Sequence, residues 1–582
     1  MTQPRSTDEI SADAESLPLR PANQVMQLER LGSYHQFRLS FMRTLIRRMM
    51  REQWKIDAVV FDLDKSGYGT VVYEIQAKYG LYSFVLFSNY LDPENRSDRV
   101  IASQWDLTMA LCEGKVDAQQ LEFLRSNVPK QEAGRVDSRV FVLSRANKSS
   151  RNFDYVVSEL AQGWQPDVEQ IAKVGYLYRT TAVYGSGKFG MADWEKVKTK
   201  YPDFARPFAA EMFTCYMLRH FSLEQADYLA RQRAPETAVV MDDGIKRYFG
   251  IGNATGLGMA PFLIHHPQLI NQWIEVRETA LSRAIYQGAV TEQDLNKLQL
   301  FADRVIQHLG EIITGDQRQN ESNALVRAEM QALKLWLYQH GATTQSWREL
   351  TQHAEQAWRT ETQEVINTLL IELYPELVDC LEDKMAVTQQ HDLIPEMTLQ
   401  ALKDAIETKY DWALTIDFDQ EAAQQVFWYR SEEKMEPRLG ERAVDPGQEK
   451  EMPLAIGRSV RDCYDALCSQ LLTNPHDDVA HFLLRQPQHK GTIRRIQTMA
   501  QSQYGEIREN LVHRDVLPIH LLRCKLSFFG VSKFDPRSRL WVRNTMFQGA
   551  PLISDIGKPF SDDWHFPIKP WANESPAVAQ QR

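Results

Sequence analysis

The chain has 582 residues, 67 Lys and Arg against 77 Asp and Glu, and a formal charge of −10. That balance excludes a chain built mainly to neutralise nucleic-acid phosphates. With 43% apolar and 25% charged residues, 13 Trp and 25 Phe, it also excludes whole-chain disorder, because so much aromatic surface has to be buried. The six cysteines form no CxxC pair, so neither a disulfide framework nor a structural zinc site is expected; reduced thiols in a cytoplasmic protein are the simplest reading. No signal segment and no run of about 18 apolar residues is present, so no transmembrane segment is predicted.

In chain order, residues 1–25 read as a disordered polar tail. Residues 26–115 read as an N-terminal helix followed by an antiparallel sheet. The helix runs from about Leu31 to Trp54, with Phe37, Phe41, Leu45 and Met49 on an apolar face and Arg38, Arg43, Arg47 and Arg48 expected in solvent. The strands IDAVVFDL, GTVVYEIQAK, LYSFVLFSNYL and RVIASQWDLTMALCEG are joined by short turns at Asp64–Gly67, Tyr79–Gly80 and Asp92–Asn95, which predicts a meander. Asp62–Gly67 imitates the start of a calcium loop, but Tyr73 stands at the twelfth position, so a hairpin turn is expected.

From Val116 to Asp515 the chain reads mainly as helix: 116–320 as a helical domain with glycine-rich loops and 321–450 as an acidic helical region. Residues 451–582 form a basic C-terminal region with a loose tail and a late β hairpin turning at Asp535-Pro536. Residues 371–450 hold 19 acidic and 8 basic side chains, and 481–550 hold 4 and 12, so the net charge conceals two opposed blocks. The fold class expected is α+β, predominantly helical.

Two segments carry candidate chemistry. In the first, Arg179 precedes Gly185-Ser186-Gly187-Lys188-Phe189-Gly190, which matches GxGxxG. Glycines bring backbone N–H groups close to an anion, and Lys188 adds a full charge. The preceding YLYRTTAVY is not an apolar core strand and no βαβ unit is evident, so a dinucleotide site is not expected. The second runs from Gly250 through Gly252, Asn253, Thr255, Gly256 and Gly258 to His265 and His266. Its glycine density suits a loop bent around a ligand, Asn253 and Thr255 offer directional hydrogen bonds, and either histidine could move a proton.

The resulting expectation is an enzyme acting on a small anionic, carboxylate- or phosphate-bearing molecule held between the two loops. Arg179 and Lys188 would hold its charge, and His265 or His266 would be the acid/base. The reaction class and the cofactor are not assignable from the sequence, and no metal site is expected. A second-tier cluster, Arg430, Glu433, Lys434 and Arg438, could grip an anion but more simply forms a solvated face. The competing reading is a non-catalytic protein that binds a protein or single-stranded nucleic acid through its basic C-terminal block. The absence of any nucleic-acid-binding module disfavours the nucleic-acid form.

Overall fold

The computed structural model describes residues 17–92, 105–130, 138–185, 199–206, 208–254, 267–385, 392–419, 428–431, 437–439, 451–453, 456–506, 527–538 and 541–570. The fold is α+β with helix dominant. Strands β1 (Lys55–Leu63), β2 (Gly69–Gln76), β3 (Leu81–Ser88) and β4 (Leu107–Glu113) form the expected antiparallel meander. Its first turn is an Asp-centred hairpin: Asp64 Oδ1 accepts from the backbone N–H of Ser66 (2.8 Å) and Tyr68 (2.9 Å), and Gly67 takes a left-handed φ of 81°.

The sheet does not stop at residue 115. It continues through β5 (Val140–Lys148), β6 (Tyr176–Gly185) and β7 (Gly250–Ala254), segments whose surroundings read as helix. Three short strands, β8 (Trp428–Ser431), β9 (Pro437–Leu439) and β10 (Glu451–Pro453), make a separate antiparallel sheet. The late hairpin, β11 (Lys533–Ser538) and β12 (Trp541–Met546), is not an isolated element but joins the main sheet beside β7. The nine-stranded order is β1-β2-β3-β4-β5-β6-β7-β12-β11. Asp535 and Pro536 lie within β11, opposite Arg543 and Val542, rather than at the turn. Proline is tolerated there because β11 is an edge strand with no ladder partner on its outer side.

The helices used below are α1 (Phe41–Glu52), α2 (Ala118–Asn127), α3 (Ser150–Ala161), α4 (Ala209–Arg233), α5 (Pro267–Tyr286), α6 (Glu292–Glu311), α7 (Gln317–His340), α8 (Trp347–Ala357), α9 (Thr360–Leu373), α10 (Leu399–Lys409), α11 (Ile456–Thr473) and α12 (Lys490–Ala500). One face of the sheet, with Val71, Leu86, Met109, Tyr178 and Ile251, is buried in the largest core along with α1, α3 and α4. The other face packs Val85, Cys112 and Leu143 on Leu124 of α2. A second core joins α6, α7, α8 and α9, and a third joins α10, α11 and α12. In that third core, α10 of the acidic block and α12 of the basic block meet through Leu402, Ile406, Ile493 and Ile496. No helix among the described residues is long and apolar enough to cross a membrane.

Arg38, Arg43, Arg47 and Arg48 are not in solvent, whereas Arg51 is exposed. Arg43 is fully buried and bonds both carboxylate oxygens of Glu372 on α9. Arg38 makes a bidentate pair with Asp379 at 2.8 and 2.7 Å, and Arg47 lies 3.3 Å from Asp562. The front of the acidic block therefore neutralises α1 and its approach rather than the basic block. Residues 17–25, which the sequence assigns to a disordered tail, pack on the body. Val25 is buried, and Arg20 reaches Glu278 (2.7 Å) on α5 and Glu364 (2.7 Å) on α9. Glu364 collects Arg30 (2.6 Å) and Arg277 (2.8 Å) as well.

Candidate anion site at the parallel strand pair

Among the described strands, β6 and β7 are the parallel pair; every other pairing in the main sheet is antiparallel. Parallel neighbours require a crossover, and here it contains the 25-residue α4, which packs across β5, β6 and β7. Tyr178 of β6 is tied to it through its hydroxyl, which donates to Gln225 Oε1 at 2.7 Å. A β–α–β unit thus surrounds the first glycine motif, contrary to the sequence expectation. YLYRTTAVY is a central strand despite its polar residues, with Leu177 and Tyr178 fully buried in the main core.

The register sets Tyr176 against Gly250, Arg179 against Gly252 and Thr180 against Asn253. The chain therefore leaves β6 at Gly185 and β7 at Ala254 toward the same end of the sheet. The first half of the second glycine segment is a strand rather than a loop. Its glycines answer to close packing: a Cβ on Gly250 would lie 2.3 Å from the Met546 carbonyl oxygen, and one on Gly252 would lie 2.5 Å from the Tyr176 ring. Entry to β7 is fixed by Arg219 of α4. This buried guanidinium donates to the carbonyls of Phe249 (2.6 Å), Pro551 (2.9 Å) and Ala550 (2.7 Å). Burial, with no carboxylate among these partners, lowers its pKa to about 10.

Partners in register share a face of the sheet. Asn147, Arg179, Gly252, Thr545 and Lys533 therefore form one row across β5, β6, β7, β12 and β11. Arg145, Arg543 and Asp535 follow two positions along on the same face. Most of these charges are engaged. The Arg145 guanidinium lies 3.9 Å from the centre of the Trp105 ring. Lys533 donates to Ala172 O (2.9 Å), Arg543 donates to Lys173 O (3.1 Å), and Asp535 accepts from Gly315 N (3.0 Å). Arg179 differs: it is half-buried and has no hydrogen-bond or ion-pair partner among the described residues. The Thr545 hydroxyl in the same row is buried and unpaired.

Of the sequence candidates, Arg179, Gly185, Gly250, Gly252 and Asn253 are thus brought onto two adjacent strands. Ser186, Gly187, Lys188, Gly190, Thr255, Gly256, Gly258, His265 and His266 lie outside the described residues, as do Glu433 and Lys434. Arg430 and Arg438 stand on β8 and β9, in the separate sheet. Sequence reading missed Arg145, Asn147 and Thr545, and placed Lys533 and Arg543 in the basic C-terminal block rather than beside Arg179. Their signal was the period-two placing of Arg145 and Asn147 in VFVLSRANK, hidden by a helical context. Among the described residues no group of three His, Cys, Asp or Glu could hold a metal ion. Glu349 and His353, one turn apart on α8, do not form such a group: His353 stacks on Trp336 (5.8 Å) and meets Trp358 edge-on (5.0 Å). No family model, curated protein or solved structure matches the chain, so its own geometry carries the functional reading.

Proposed function

We propose that the chain is an enzyme that binds a small anionic organic molecule at the carboxyl ends of β6 and β7. Arg179 and Lys188 hold its charge, and His265 or His266 acts as the acid/base. The observation that carries this reading is Arg179: a half-buried guanidinium without a counter-charge among the described residues, in register with Gly252, two positions before the end of β7 and six residues before β6 ends at Gly185. Ligands of α/β sheets characteristically bind outside the carboxyl ends of parallel strands, where the chain changes its order of pairing. The interaction-protein reading has less support. Of the basic block, Arg495 is held by Glu506 at 2.6 and 2.7 Å, and Lys533 and Arg543 are engaged by backbone carbonyls.

The test is a thermal-shift panel of carboxylates, phosphates and neutral analogues on the full chain. A ligand present at 100 times its Kd stabilises by about 2.7 kcal/mol. One anion should give a saturable shift that Arg179→Gln abolishes, with the ligand-free melting temperature unchanged. Equal shifts in wild type and Arg179→Gln would refute the reading.

A further inference from the structure

Outside the strand pair, five distant segments close around a cavity of about 60 Å³. Its wall includes Gln36, His308, Asn323, Ser532, His565 and Phe566, and among the described residues no Lys, Arg, Asp or Glu lines it. Two of these side chains are almost fully buried with polar atoms unfilled. Gln36, 4% exposed, donates from Nε2 to the His565 carbonyl oxygen at 2.9 Å, but its Oε1 has no partner among the described residues. His565, 2% exposed, has a partner among them for neither ring nitrogen. The rings of Phe566 (4.7 Å) and Phe301 (6.3 Å) fix its plane. Burial, reinforced by the charges of Arg43 and Arg304, pushes His565 far below the usual imidazole value. Its ring is therefore neutral, with one N–H donor and one acceptor.

The site leaves two acceptors and one donor unfilled, each at the full desolvation cost of a buried polar group. A primary carboxamide is the complement, with two N–H donors and one carbonyl acceptor. At about 10–15 Å³ per water-sized sphere, the cavity has room for about four heavy atoms, the size of acetamide. A charged isostere such as acetate offers no N–H to the two unfilled acceptors. A single amide meets the Gln36 and His565 atoms together, while Leu309, Ile312, Val531 and Phe534 line the cavity beside its polar residues. We propose that this cavity is a binding site for a small neutral amide, seated between Gln36 and His565. The site is independent of the anion site, since Arg179, Gly252 and Thr545 are not part of its wall.

The experiment titrates the full chain with acetamide and, separately, acetate, followed by saturation-transfer NMR in solution and by density in soaked crystals. Acetamide should saturate, with density between Gln36 and His565, and acetate should not bind. Gln36→Met keeps the side-chain volume and removes the acceptor; it should weaken acetamide binding at least tenfold while circular dichroism is unchanged. Should that variant fail to fold, the wild-type titrations decide alone. Ordered waters only, equal binding of acetate, density without saturation in solution, or unchanged affinity in a folded Gln36→Met each overturn the proposal.

Discussion

Glu364→Gln tests the central electrostatic claim of the fold. The Glu364 carboxylate is fully buried and meets three guanidiniums, Arg20 at 2.7 Å, Arg30 at 2.6 Å and Arg277 at 2.8 Å. Glu278 is the other carboxylate of the group, so the substitution raises its net charge from +1 to +2 in a buried setting. Removing one partner of a buried ion pair costs about 3–5 kcal/mol; because glutamine keeps one acceptor, about 3 kcal/mol is expected at pH 7. At an m-value of about 3 kcal/mol per molar, the urea midpoint falls by about 1 M, read by circular dichroism. The pH dependence supplies a second arm. Burial alone would raise the Glu364 pKa, but Arg20, Arg277 and Arg30 outweigh it and hold the group well below the usual carboxylate range. A depressed folded pKa means the contribution is fully present above the unfolded value of about 4.3 and is lost as pH falls through the folded one. The gap between wild type and variant should therefore narrow steadily below about pH 4.3. A midpoint change under about 0.3 M at pH 7, the scale of a surface pair, refutes the reasoning, and so does a gap of equal size at pH 3 and pH 7.

Gly250→Ala places a Cβ 2.3 Å from the Met546 carbonyl oxygen and should cost about 1–3 kcal/mol in denaturant, whereas Gly288→Ala meets nothing within 4 Å and should not destabilise. In a Cys524→Ser background, native protein should react rapidly with a thiol reagent at Cys380, which is exposed and accepts from Arg283 Nη1 at 3.0 Å, and more slowly at half-buried Cys468. Cys215 and Cys463 are buried, and burial pushes both thiols up to about 12, so they should react only on unfolding, as counted by absorbance. Arg219→Met should destabilise by about 3 kcal/mol or more, measured by urea melts, because it strips one buried donor set from at least three carbonyls at the entry to β7; a loss below 1 kcal/mol would mean water replaces it.

The meander was legible because its signals are local: runs of Val, Ile, Tyr and Phe, punctuated by turn residues at Asp64–Gly67, Tyr79–Gly80 and Asp92–Asn95. The helices carrying Leu, Ala, Gln and Glu were legible for the same reason. What escaped has partners far away in sequence. β6 is hard to read because its neighbour β7 comes 65 residues later after a helix, with no turn to announce the pairing, and Arg179 and Thr180 dilute its apolar pattern. Arg38 and Arg43 looked solvated because their carboxylates, Asp379 and Glu372, lie more than 300 residues downstream. Asp535-Pro536 has turn chemistry, but only the sheet order shows that it occupies an edge, where proline is harmless. At the candidate site the glycines of β7 were visible, yet their cause, the Met546 backbone and the Tyr176 ring, was not. Gln36 and His565 are separated by more than 500 residues and could not have been associated from spacing.

The placing of β12 between β7 and β11 sets an order of events during synthesis. When β7 leaves the ribosome, only its β6 side can be paired; the strand that covers its other side ends at Met546, about 290 residues later. At roughly 5–20 residues per second, the nascent chain carries an open ladder of N–H and C=O groups at Gly250–Ala254 for about 15–60 s. Such an edge is a template for pairing with another chain. The last fifty residues are therefore not an appendage: a transcript truncated before Lys533 should yield chains that aggregate through β7 even though every helix of the body has been made.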